Sequence, residues 1–115
     1  MLTKPPPPLD RISRIQVETN LGQPLGTIDD PERVQSIVAF VNARKDQWEN
    51  PWYGVPVGPV RVSFYQNTAF VGSFSAGNGF FATHRQGDFA SQLASTQELE
   101  EFTRLIGVSA DRLRR

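Results

Sequence analysis

Few side chains in this sequence are equipped for covalent or metal chemistry. His84 is the only histidine and there is no cysteine, so thiol nucleophiles, disulfides and thiolate metal sites are excluded together. A serine nucleophile needs a base within hydrogen-bond reach. No Gly-x-Ser-x-Gly elbow occurs, and His84 stands near the end of a strand-like run. A metal would have to be held by carboxylates. Asp29, Asp30, Glu98, Glu100 and Glu101 all fall where helix capping accounts for them. Glu18 and Asp88 are the acids without that explanation, and nothing in their spacing brings them together. Gly77, Asn78 and Gly79 read as a turn, because neither a helix start nor a Gly-Lys pair follows to hold a phosphate. The expectation is no catalytic residue, no metal and no cofactor.

Binding is better served. Trp48, Trp52 and Tyr53 gather at the end of a helical pattern and in the proline-rich stretch after it. Trp and Tyr dominate interface hot spots because they bring large area with few rotors to freeze. The competing role for the same rings is to cover an open edge of their own core. A second candidate set comes from strand parity. With a three-residue turn at Gln66–Thr68 and a type I′ turn at Asn78–Gly79, Val60, Val62, Phe64, Phe70, Phe74 and Phe81 share one face. Tyr65, Val71, Phe80, Ala82 and His84 then share the other, and a sheet apolar on both faces needs a second layer or a partner. Tyr65, Val71 and Phe80 therefore join the three loop aromatics as partner-contact candidates. Parity is sensitive to turn length, since one residue more or less turns a whole strand over.

The elements that must position these residues follow from local signals. Residues 1–9, with four consecutive prolines, read as a polyproline tail or linker. Residues 11–19 alternate as a first strand, and 21–26 read as a turn or hairpin fragment. Asp29, Asp30, Pro31 and Glu32 start a helix whose stripe is Val34, Ile37, Val38 and Val41, with Asn50 and Pro51 as its stop. Val60–Tyr65, Ala69–Ser75 and Phe80–Arg85 make an antiparallel meander, with residues 89–94 as a short extension. Ser95 and Glu98 form a capping box for a second helix with stripe Leu99, Phe102, Thr103 and Ile106, ended by Gly107.

The expected architecture is one α+β domain over residues 10–115, a four-stranded, mainly antiparallel sheet in the order β-α-β-β-β-α with two helices packed on it. No apolar run reaches the length of a membrane span, and no apolar signal region follows Met1. The compartment stays open between bacterial cytoplasm and periplasm. Twelve basic and twelve acidic residues cancel, which removes the electrostatic footprint of a general nucleic-acid binder. Gly79–Ala82 lacks the basic residue and alternating aromatics of an RNA-recognition strand. In layout the chain is similar to small bacterial envelope and immunity-type domains. The likeness is one of layout, with no diagnostic motif, and the expected function is a non-enzymatic protein-binding module, of inhibitor or immunity type, whose partner is another protein. A tethered envelope or structural domain is the alternative, and a small enzyme the third.

The loop aromatics yield a first prediction. If Trp52 and Tyr53 belong to an interface, replacing both by Ala weakens partner binding by ~2 kcal/mol or more and leaves folding stability nearly unchanged. Denaturant unfolding run beside the binding assay separates this from core cover, for which the loss appears in folding instead.

Overall fold

The computed structural model describes residues 7–50, 56, 58–85 and 87–114. Their elements run β1 (Arg14–Thr19), β2 (Pro24–Ile28), α1 (Pro31–Asn42), β3 (Val60–Gln66), β4 (Ala69–Gly77), β5 (Phe80–Arg85), β6 (Asp88–Leu93) and α2 (Thr96–Ile106), closing in a 3-10 turn at Ala110–Arg114. The strands form one antiparallel sheet in the order β2-β1-β3-β4-β5-β6. The fold is α+β with two helices on an antiparallel sheet, but the sheet has six strands rather than four. The additional strands are the two edges. β2 holds Pro24 and Gly26, which suppress strand propensity and are tolerated where only one neighbour pairs.

Both helices form from local signals. The Asp30 side chain accepts from the Arg33 N–H at 3.1 Å, and Pro31 opens α1, where a missing N–H costs nothing. Val34, Ile37, Val38, Phe40 and Val41 are buried on its inner face. In α2, Ser95 Oγ accepts from the Glu98 N–H while Glu98 accepts from the Ser95 N–H, a reciprocal capping box. Gly107, at φ +79°, ends that helix in the left-handed region that favours glycine.

α1 stops at Asn42 and not at the Asn50–Pro51 pair. Gln47 takes a left-handed φ of +71°, and Trp48 folds back so that its indole N–H donates to the Arg44 carbonyl at 2.6 Å. Burying that indole outweighs further helical turns.

Two turns differ from expectation. Gln66 pairs directly with Ala69, leaving a two-residue turn with Asn67 at φ +55°. Gly77 pairs with Phe80, and only Gly79 has a positive φ, so the type I′ form, which needs one at both central positions, is absent. The larger change is a bulge in β4. Phe64 pairs with Gly72 and Tyr65 with Phe70, so Val71 is an extra residue. The bulge turns Phe70 away from the core, where alternation alone had placed it.

The core lies between the helices and the face carrying Ile15, Val17, Val62, Phe64, Phe74 and Phe81. Phe74 sits 4.9 Å from Phe81 and 5.3 Å from Phe102, ring centre to ring centre, and 6.2 Å from Trp48. The Arg44 guanidinium lies 3.5 Å over Phe40 and bridges to Glu98 at 3.2 Å, tying the two helices. The start of the described chain is also fastened. Leu9 is buried, and its backbone N–H and C=O both bond the Asn42 side chain, at 2.8 and 2.9 Å. Arg85 donates to the Pro7 carbonyl at 2.7 Å, and burial pushes its guanidinium pKa down to about 10. Among the described residues no helix is long and apolar enough to cross a membrane.

Two outcomes follow from this packing. Phe102→Ala removes a fully buried ring in contact with three others and is expected to cost ~3–5 kcal/mol in denaturant unfolding, with Val38→Ala nearer ~2 kcal/mol. The Ser95 N–H, aided by Arg44, holds the Glu98 carboxyl below its usual range. A depressed carboxyl stabilises the fold above the unfolded pKa and loses that contribution as the pH falls through the lowered folded value. Glu98→Gln keeps the cap geometry and removes the charge. Because the side chain is 38% exposed and screened, the expected cost is only about 0.5 kcal/mol at neutral pH. Unfolding measured against pH should show wild type and variant converging in acid.

Candidate binding face

The helices cover one face of the sheet, and strand register assigns the side chains of the other. Gln16, Ser63, Ser73, His84 and Phe89 form one row across five strands, and Glu18, Arg61, Ser75, Ala82 and Ser91 the next. Arg14, Tyr65 and Phe70 form a further row at one end. The composition of this face is unlike that of the core face, with hydroxyls and arginines alternating against Val, Ile and Phe along the same strands. Glu18 is the only carboxylate among its strand residues, and it is engaged: Ser63 Oγ donates to it at 2.7 Å and Arg61 lies at 3.4 Å.

Aromatic side chains flank the polar centre. The Arg14 guanidinium stacks 4.4 Å above the Tyr65 ring, whose other neighbour is Phe70, edge-on at 5.8 Å. In the neighbouring row, toward β6, His84 and Phe89 lie parallel with ring centres 4.0 Å apart. Phe70 and Phe89 remain 51% and 50% exposed, unusual for phenylalanines on a regular sheet.

Beside the His84–Phe89 stack lies a depression of about 120 Å³. Ser73, Ser75 and Ala82 are part of its lining, with Arg61, His84, Phe89 and Pro56 around them. Pro56 belongs to the segment joining α1 to β3. That segment is pinned at one point by Glu49, which exchanges two backbone hydrogen bonds of 2.9 Å with Ser91 in β6. It is pinned again where the Gly58 N–H donates to Ser75 Oγ at 3.4 Å. Gly58 passes so close to the Ala76 backbone that any Cβ would collide with it, so glycine is needed there for approach and not for an unusual φ.

Covalent catalysis finds little support in this arrangement. Ser73 and His84 are opposed across β4 and β5, but the imidazole lies flat on Phe89, and Glu18 is two strands from Ser73's strand and bound elsewhere. A nucleophilic triad needs the base hydrogen-bonded to the hydroxyl and oriented by a third group. Among the described residues no three His, Asp or Glu side chains gather as a metal site.

The residues singled out from the sequence part company here. Trp48 is 1% exposed and packed on Phe74; it is a core side chain, and a partner cannot reach it in the folded domain. Trp52 and Tyr53 lie outside the described residues. Tyr65 is on the open face, half-buried beneath Arg14. Phe80 is half-buried, its ring lying over Gly77, where a Cβ would strike it. Val71 is partly buried against the core because it is the extra residue of the bulge. Phe70, Phe89, Arg61, Ser73 and Ser75 were not anticipated. The alternation of Arg61, Ser63 and Tyr65, and of Ser73 and Ser75, was the available signal of a polar second face.

The chain matches no known protein family, no curated protein and no solved structure. The reading of the face therefore rests on its own chemistry.

Proposed function

We propose that this domain is a non-enzymatic module that binds another protein through the open face of its sheet. The observation that supports it is the half-exposure of Phe70 and Phe89 on the same sheet face as a concave depression lined in part by hydroxyls, with Phe89 in its wall. Large aromatics around a polar pocket on a rigid sheet suit an interface anchor, since little side-chain entropy remains to be lost on docking. Nucleic acid is a poorer fit. Stacking needs free ring faces, whereas Arg14 occupies a face of Tyr65 and His84 and Phe89 occupy one another. The even balance of twelve basic and twelve acidic residues points the same way. A domain of this kind suits an inhibitor or immunity-type role, in which a preformed surface blocks a partner's active region.

The test is quantitative capture of partners with wild type, the double variant Phe70→Ala/Phe89→Ala, and Leu21→Ala as a control at an exposed apolar site away from this face. The double variant should weaken capture by ~2 kcal/mol or more while its unfolding midpoint stays within about 1 kcal/mol of wild type. The control should behave as wild type. A partner held equally well by the folded double variant would remove the open face from consideration.

A further inference from the structure

We propose that the depression on the open face receives one carboxylate side chain, an aspartate or glutamate, presented by the protein partner; the inference rests on the protein-binding reading above. Size is the first argument. A cavity of about 120 Å³ has room for a side-chain head but falls well below the ~300–1,000 Å³ typical of small-molecule sites.

The second argument is the sign of the hydrogen-bonding groups. Arg61, Ser73, Ser75, Thr83 and His84 line the cavity, and among the described residues no carboxylate does. Each of these groups can donate. Ser75 already accepts from the Gly58 N–H, which leaves its own O–H to be given away. Arg61 spends one nitrogen on Glu18, while its Nε is buried without a partner among the described residues. A carboxylate supplies two oxygens able to take several of these donors at once.

The third argument is the surround. Pro56, Ala82 and Phe89 give the polar centre apolar neighbours, and reduced access of water strengthens charge-assisted hydrogen bonds. Glu18 lies one position along the sheet, neutralised by Arg61 and Ser63. It keeps the guanidinium in place without occupying the cavity.

The experiment titrates the isotope-labelled full chain, followed by amide resonances, with a capped heptapeptide of Gly, Ser and Ala carrying a single central glutamate. The same peptide with glutamine, sodium acetate alone and an oligothymidine are the parallel arms. Saturable shifts confined to Ser73, Ser75, Ala82, His84 and their neighbours are expected, with the glutamate peptide binding about tenfold or more tightly than its glutamine twin. Arg61→Gln should bring the two peptides together. Because Arg61 also holds Glu18, Ser73→Ala is the second variant, expected to weaken the glutamate peptide several-fold with an unchanged unfolding midpoint.

Equal binding of both peptides, shifts on the helix face, or no saturable shift would each overturn the proposal. Acetate binding as tightly as the peptide would make this a site for free carboxylates, and oligothymidine displacing the peptide would make it one for nucleic acid; either result also overturns it. Phe70 does not line the cavity, so the two readings fail separately. A silent peptide with partner capture still dependent on Phe70 removes the pocket and leaves the face, whereas capture indifferent to Phe70 and Phe89 removes the face.

Discussion

Phe74, midway along a central strand and wholly buried, is the point at which the layers of this protein meet. Its ring contacts Phe81 in the neighbouring strand, Phe40 of α1, Phe102 of α2 and the indole of Trp48. Edge-on and tilted rings satisfy their quadrupoles while filling volume, so this cluster adds specificity to the area it buries. Each partner arrives from a different element, and several local departures from simple patterns become intelligible as ways of delivering it. α1 ends early so that Trp48 can turn inward. Arg44, just past the end of α1, caps Phe40 with its guanidinium and ties to the start of α2. Fixing Phe74 inward also fixes Ser73 and Ser75 outward, because neighbours on a strand face opposite ways. The polar character of the open face is therefore a consequence of the aromatic core.

Features decided within four residues were legible in the sequence. The Asp30 cap with Pro31, the Ser95–Glu98 box and the Gly107 terminus all close through backbone groups nearby in the chain, and each stands as its residues imply. The edge strands were legible only in part, β6 as a short extension and β2 as a hairpin fragment. β2 contains proline and glycine, and its pairing with β1 depends on a turn at Leu21–Gln23 with no strong hairpin signature. Parity in β4 was not legible. Phe70 and Val71 are both apolar, and only the pairing with Tyr65 decides which of them is the surplus residue. The depression was beyond reach altogether, because Pro56, Arg61, Ser73 and His84 are distant in sequence and meet only in the folded domain.

The edges of the sheet bear on which surface is left for recognition. An unpaired strand edge is the commonest site for addition of a foreign strand. Here β6 is closed at its middle, since Ser91 already gives and accepts a backbone hydrogen bond with Glu49. β2 is five residues long and begins with proline, which shortens the run of free donors and acceptors. Strand addition at either side is thus disfavoured by backbone chemistry, and the helix side is consumed by the core.

That leaves the open face, and its rigidity matters to how it can bind. Its polar side chains stand on strands whose spacing is fixed by the ladder, and Arg61, Glu18 and Ser63 hold one another. Arg14 lies flat on Tyr65 and His84 flat on Phe89, so the long or planar groups have already given up rotamer freedom in the free protein. Association normally loses energy to ordering such groups and to leaving desolvated donors imperfectly paired. In this domain much of that ordering has been accomplished by folding, because these side chains are already held in the free protein. A partner that provides an acceptor to the hydroxyls of the depression gains hydrogen bonds without the customary loss of side-chain freedom, which is why selectivity should reside in the polar centre and contact area in the exposed phenylalanines.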